Sequence, residues 1–151
     1  MIRLVIFLTT YLNKQTMSGI SSKASLRIFT DEADASFIST TLQVQPTTQH
    51  SKGERRSKRN PNSSVFDQSV WIYDSQLPDT CELHEHLNNL LHVLEAKQAR
   101  LASIRNQIAS IDIFCMYSSE NGQGSAEVDS ILLRRLADQK LDLIIDLYPP
   151  N

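Results

Sequence analysis

The stretch CELHEHLNNLLHVLEAKQARLASIRNQI, residues 81–108, decides the fold class. Leu83, Leu87, Leu90, Leu91 and Leu94 recur at helical spacing and fall within about 100° of arc around a helix axis. Such a stripe needs an apolar surface to lie on. Leu101, Ile104 and Ile108 continue it nearly in phase, but polar Lys97 and Gln98 fall where it should run on. The stretch therefore reads as one long helix or as two joined near residue 97. Neither Gly nor Pro forces the break. Asp79 or Thr80, just after Pro78, is the expected N-cap.

The surface for this helix is found on both sides of it. Lys23–Thr30 alternates, with Ala24, Leu26 and Ile28 on one side and Lys23, Ser25 and Arg27 on the other, as a half-buried strand does. Ser69–Ser75 reads as a second strand through Val70, Trp71, Ile72 and Tyr73. Ser110–Ser118 reads as a third, and Leu141–Tyr148 as the last. Between them, Asn121-Gly122-Gln123-Gly124 has turn chemistry and predicts a hairpin into a short strand near Ser125–Val128. Two shorter helices are expected. One is capped within Asp31-Glu32-Ala33-Asp34 and carries Phe37, Ile38 and Leu42; the other is capped by Asp129 or Ser130 and carries Ile131, Leu132 and Leu136. Strands that alternate in polarity belong to a sheet covered on one face. The predicted class is α+β: a two-layer sandwich, a mixed and mostly antiparallel sheet with its helices on one face. The two ends of the chain follow loosely similar paths, which hints at duplication.

Composition agrees with a folded domain. The chain has 151 residues, 40% hydrophobic and 21% charged, with only four Gly and five Pro. Collagen-like and Gly-rich low-complexity classes are excluded. Fifteen Lys and Arg against seventeen Asp and Glu leave a net charge of −2, which argues against a protein that coats nucleic acid. No run reaches the eighteen or more apolar residues of a membrane span. Cys81 and Cys115 are too few for a disulfide framework and read as reduced thiols of a cytoplasmic protein.

Residues 1–22 read as an N-terminal extension and 23–150 as a single domain. Ile2-Arg3-Leu4-Val5-Ile6-Phe7-Leu8 is strongly apolar and admits three readings: a signal peptide, an added strand or docking arm, or sequence upstream of a true start at Met17. In the last case Arg3 and Lys14 are lost and the net charge becomes −4.

Charge is unevenly placed. Lys52, Arg55, Arg56, Lys58 and Arg59 lie within eight residues, opposed only by Glu54, in a segment 46–64 rich in turn formers. From Asp67 to Glu95 there are six acids and no Lys or Arg.

Several short motifs occur in a definite order: Leu26-Arg27-Ile28, Leu42-x-Val44-x-Pro46-Thr47, Lys52-Gly53-Glu54, Trp71 in its strand, His84-Glu85-His86-Leu87, and Leu143-Ile144-Ile145-Asp146-Leu147-Tyr148. In that order the chain resembles a bacterial family of domains of unknown function, the one numbered four-two-seven-nine. The likeness covers about residues 23–150. It implies a small α+β bacterial domain of unassigned activity, with no catalytic residues to carry over. It also favours Met17 as the start.

Chemistry-bearing residues are few. Cys81, His84 and Glu85, with His86 and His92 nearby, are weak metal candidates. His84 and His86 point about 200° apart on a helix, and the order is not the His-Glu-x-x-His that sets two ligands on one face. No metal or other cofactor is expected. Asp142 and Asp146 share a strand face with Tyr148, but at i, i+4 they stand about 13 Å apart, too far for one ion. Ser18, Ser69 and Cys115 lack a nucleophile's sequence context. The basic segment has no phosphate-loop order. The binding candidates are Lys52, Arg55, Arg56, Lys58 and Arg59, with Trp71, although core or sheet packing explains that ring better. The aromatic interleaving of a base-stacking surface is missing, since Phe66 and Trp71 come only after the cations. The reading that follows is a non-catalytic module whose partner is another protein, of immunity or antitoxin type. The alternatives are nucleic-acid or phospholigand binding through the basic loop and, further off, a metal-dependent enzyme.

Overall fold

A computed structural model describes residues 19–148. The apolar segment 2–8 and the proposed start at Met17 lie outside the described residues. Among the described residues five strands form one mixed sheet, with β1 Ile20–Thr30, β2 Thr48–His50, β3 Ser69–Asp74, β4 Ser110–Ser119 and β5 Asp142–Tyr148. Their spatial order is β2-β3-β1-β4-β5. Every neighbouring pair is antiparallel except β4 and β5. The helices are α1 Ser36–Leu42, α2 Leu83–Ala96, α3 Gln98–Ser103 and α4 Ser130–Asp138, with a 3-10 turn at Arg105–Gln107. All four pack on one face. The predicted α+β two-layer class holds.

The core follows from the two periodicities. Ala24, Leu26 and Ile28 of β1, Trp71 of β3, and Ile111, Ile113 and Cys115 of β4 point to the helix side. Leu87, Leu90, Leu91 and Leu94 of α2 lie on them, with Ile38 of α1 and Leu132 of α4 filling the flanks. The stripe does break at Lys97, whose φ of −114° leaves the helical range. After the turn there, Leu101 and Ile104 lie in the core. Arg135 of α4 donates to both carboxylate oxygens of Glu95, at 2.8 and 3.0 Å, and to Asn88 at 2.7 Å, tying α4 to α2.

Several local expectations are corrected. Asp31–Asp34 lies outside the first helix, which starts at Ser36. Asp34 accepts the Ser36 N–H and its hydroxyl, both at 2.9 Å, and these bonds hold its carboxyl below the usual range. The cap of α2 is Glu82, not Asp79 or Thr80. Glu82 and Glu85 form a capping box in which the Glu82 N–H donates to Glu85 Oε2 at 2.8 Å. Asp129 does cap α4, accepting from Leu132 N–H at 2.8 Å. Residues 123–129 form no strand. The extra strand is instead β2, inside the segment read as loop, and β1 begins at Ile20, three residues before the alternation becomes visible.

The likeness of the two ends has a counterpart in the path. β4–α4–β5 is a parallel crossover. β1–α1–β2 also joins parallel strands, because each is antiparallel to β3. They differ in that β3 separates β1 from β2.

Candidate partner-binding face

The helices cover one face of the sheet; the other is left open. Alternation puts Lys23, Ser25, Arg27 and Phe29 of β1 on this open face, with Val70, Ile72 and Asp74 of β3 and Asp112, Phe114 and Met116 of β4. At its centre Arg27 Nε and Nη2 donate to Asp112 at 2.7 and 2.8 Å. The guanidinium carbon lies 4.5 Å from the Phe114 ring centroid and 5.3 Å from that of Phe29. The pair is partly shielded, with side chains 24% and 11% exposed. Asp112→Ala is expected to cost about 2 kcal/mol, below the figure for a fully buried pair because water still reaches Arg27. Chemical denaturation of D112A, beside an R27M/D112L double variant expected to recover most of the loss, checks this.

The basic segment is an ordered arm. Residues 51–66 leave β2 and fold back as a hairpin. Gly53 N–H donates to Phe66 O at 2.8 Å, Phe66 N–H to Glu54 O at 2.9 Å, and Arg56 N–H to Ser64 O at 2.9 Å, with Arg55 bridged to Val65. Gly53 takes φ 82°, which suits a residue without Cβ. Asn60 closes the tip by accepting from Asn62 N–H. Lys52, Arg55, Arg56, Lys58 and Arg59 are all exposed. Arg55 donates to the Pro61 and Ser63 carbonyls, which holds it along the arm.

Phe66 anchors the arm's base. Its ring stacks on His50 at 4.4 Å between centroids, and the Arg56 guanidinium lies 4.6 Å from it. Phe66 and Arg56, with Arg27, Phe29, Asp67, Val70 and Ile72, line a cleft of about 210 Å³. Folding thus puts an aromatic ring against Arg56, although ten residues separate them in the chain. Arg27, Phe29 and Phe66 were not among the binding candidates of the sequence. Alternation marks Arg27 as outward, but which strands flank it is a property of the sheet.

Trp71 stands apart from the five cations. It is fully buried on the helix face, opposite the cleft, and its Nε1–H donates to Ser39 Oγ at 2.9 Å. It belongs to the core and contributes nothing to the cleft.

The metal candidates are spent on structure. Glu85 completes the capping box, and His84 Nδ1 lies 3.3 Å from Glu82 Oε2. Burial, then the charge of Glu85, pushes the Cys81 thiol up. Among the described residues no three of His, Cys, Asp and Glu are placed to hold a metal ion.

His86, on the flank of the Leu stripe, is fully buried. It follows Leu83 by three residues, a spacing that marks it as inward-facing. Its Nδ1 lies 2.6 Å from Ser75 Oγ, while Asn89 donates to the Ser75 carbonyl and Ser22 Oγ to the Cys81 carbonyl at 2.7 Å. This polar knot fastens the start of α2 to the sheet. Burial pushes the His86 pKa below its ordinary 6.5, partly offset by the Cys81 backbone and the charges of Glu85 and Asp79. Protonation is then easier in the unfolded chain, so stability falls as pH drops below the unfolded value. Melting temperature is expected to decline between about pH 7 and about pH 5, with a shallower slope in His86→Gln.

The nucleophile candidates are also structural. Ser69 Oγ accepts from Lys52 N–H at 2.9 Å and donates to Glu32 O at 2.8 Å. Cys115 is buried, and its thiol is pushed up to about 12 by that burial and by the nearby Asp112. Ser18 lies outside the described residues. Asp142 and Asp146 share the open face of β5 with Tyr148, whose hydroxyl bonds Asp146.

Among the described residues no helix is long and apolar enough to cross a membrane. No curated protein and no solved structure matches the chain. The family model described as "Domain of unknown function (DUF4279)" matches residues 20–150, nearly all of the described sheet and helices, and the chain belongs to that family.

Proposed function

We propose that the chain is a non-catalytic protein-interaction module of the bacterial cytoplasm, taking an acidic segment of one partner protein onto the arm and the adjoining open sheet face. One observation carries this reading: the arm is hydrogen-bonded back on itself so that Arg56 and Phe66 join Arg27 and Phe29 in one cleft. Cations held on an ordered hairpin beside apolar rings can both steer and seat an acidic partner. In its sharpest form the partner is a toxin that the chain masks, as immunity and antitoxin proteins do. The support for that step is analogy with other small acidic bacterial domains.

Binding of nucleic acid through the same cations is the second reading, favoured by the ring that the fold brings to Arg56. A base would, however, have to displace His50 or Arg56 from Phe66. Capture of partners from the source lysate by the tagged full chain, with and without nuclease, separates the two. One protein retained at stoichiometric level after nuclease supports the module. Loss of all captured material on nuclease treatment, with binding that falls steeply with salt, transfers the arm to nucleic acid.

A further inference from the structure

Among the described residues, β5 is the outermost strand on the side of the sheet away from the arm. Ile144, Ile145, Leu147 and Tyr148 on it are 41%, 40%, 71% and 47% exposed. Proteins guard an open edge with Lys, Pro, a bulge or a very short strand. The opposite edge follows this rule, since β2 is only three residues long. β5 does not. Residues 142–148 contain no Lys, Arg or Pro, and the register with β4 runs unbroken from Asp142 to Tyr148.

We propose that β5 pairs antiparallel with β5 of a second copy of this chain, centred on Ile145, so that two sheets become one. The residues of the strand fit a second copy in one register. An antiparallel pair related by a twofold axis sets one residue opposite its own copy. Centring on Ile144 puts Asp142 opposite the partner's Asp146, and centring on Asp146 puts that carboxylate opposite itself. Like charges directly opposite destabilise a ladder. Centring on Ile145 pairs the whole strand and sets no acid opposite an acid. Asp142 then faces the partner's Tyr148, and carboxylates of the two copies meet only diagonally, at about 7 Å. On the helix side, Leu143 faces the partner's Leu147, and Ile145 faces its own copy. Leu143 already packs against the core, so this apolar ladder extends the core across the joint. Pro149 and Pro150 follow at once and cannot donate to a ladder, which ends the pairing at Tyr148.

Sedimentation equilibrium of the full chain and of Leu147→Lys, with hydrogen exchange over residues 142–148, tests this. The natural chain is expected to dimerise with rising concentration, and the β5 amides to gain protection with the dimer. Leu147→Lys is expected to weaken the dimer by about tenfold or more, with the melting temperature unchanged at concentrations where both chains are monomeric, because Leu147 is exposed in the single chain. A chain that stays monomeric overturns the proposal. Free exchange at β5 would then leave the edge open, and protection would put another segment of the same chain on it. A dimer indifferent to both Leu147→Lys and Ile145→Lys overturns it as well, by placing the contact elsewhere.

Discussion

Trp71→Ala is expected to lower stability by about 3–5 kcal/mol, the largest single loss in this chain. The ring is fully buried at the centre of the core, opposite Ile28 in the β1–β3 register and 6.0 Å from the Tyr73 ring. Truncation removes the apolar contact and leaves a cavity that a β-sheet cannot collapse to fill. It also takes the indole N–H from Ser39, so the bond that docks α1 onto β3 disappears. Domains of this size are stable by only about 5–15 kcal/mol, so the variant should be partly unfolded near body temperature. Trp71→Phe separates the two effects, since it keeps most of the packing and loses the bond. Urea midpoints at constant slope report the difference. A loss below about 1 kcal/mol for Trp71→Ala would mean that the ring is not packed as described.

The second large effect concerns binding. Reversing Arg55, Arg56, Lys58 and Arg59 to Glu together takes the net charge from −2 to −10, with every change on the arm. Partner affinity is expected to fall by about a hundredfold or more. Each rim charge contributes little alone, but four on one hairpin set the local potential that steers an acidic partner. Association should slow more than dissociation quickens, and the wild-type affinity should weaken with salt. Arg55 and Arg56 also donate to backbone carbonyls of the arm, so the quadruple variant loosens the hairpin as well as reversing it. Lys58→Glu/Arg59→Glu, at the exposed tip, controls for this and should still lose about tenfold. Affinity unchanged in both variants would remove the arm from the interface.

Local chemistry was legible where it repeats. The Leu83–Leu94 stripe has one periodicity and one solution, a helix on an apolar surface, and the alternation in β1 fixes which side of the sheet that surface is. The polar interruption at Lys97 and Gln98 marked the break between α2 and α3, although only packing decided that the chain turns there. The charge cluster at residues 52–59 was equally plain. Its order was not, because the hydrogen bonds that make it an arm join residues up to thirteen positions apart, Gly53 to Phe66. β2 is too short to show alternation. The strand expected near Ser125–Val128 failed because a turn signal announces a reversal and not what pairs with it.

The amino-acid sequence by itself determined the class, one covered sheet, and placed its strongest cations together, since both depend on the type and spacing of neighbouring residues. Only the tertiary structure decided what those residues face. It put β5 parallel to β4 and, among the described residues, at the sheet's edge. It closed Trp71 in the core and His86 among the leucines. It also brought Phe66 under Arg56 and Arg27 between Phe29 and Phe114, because cross-strand neighbours are chosen by strand order, which no local pattern encodes.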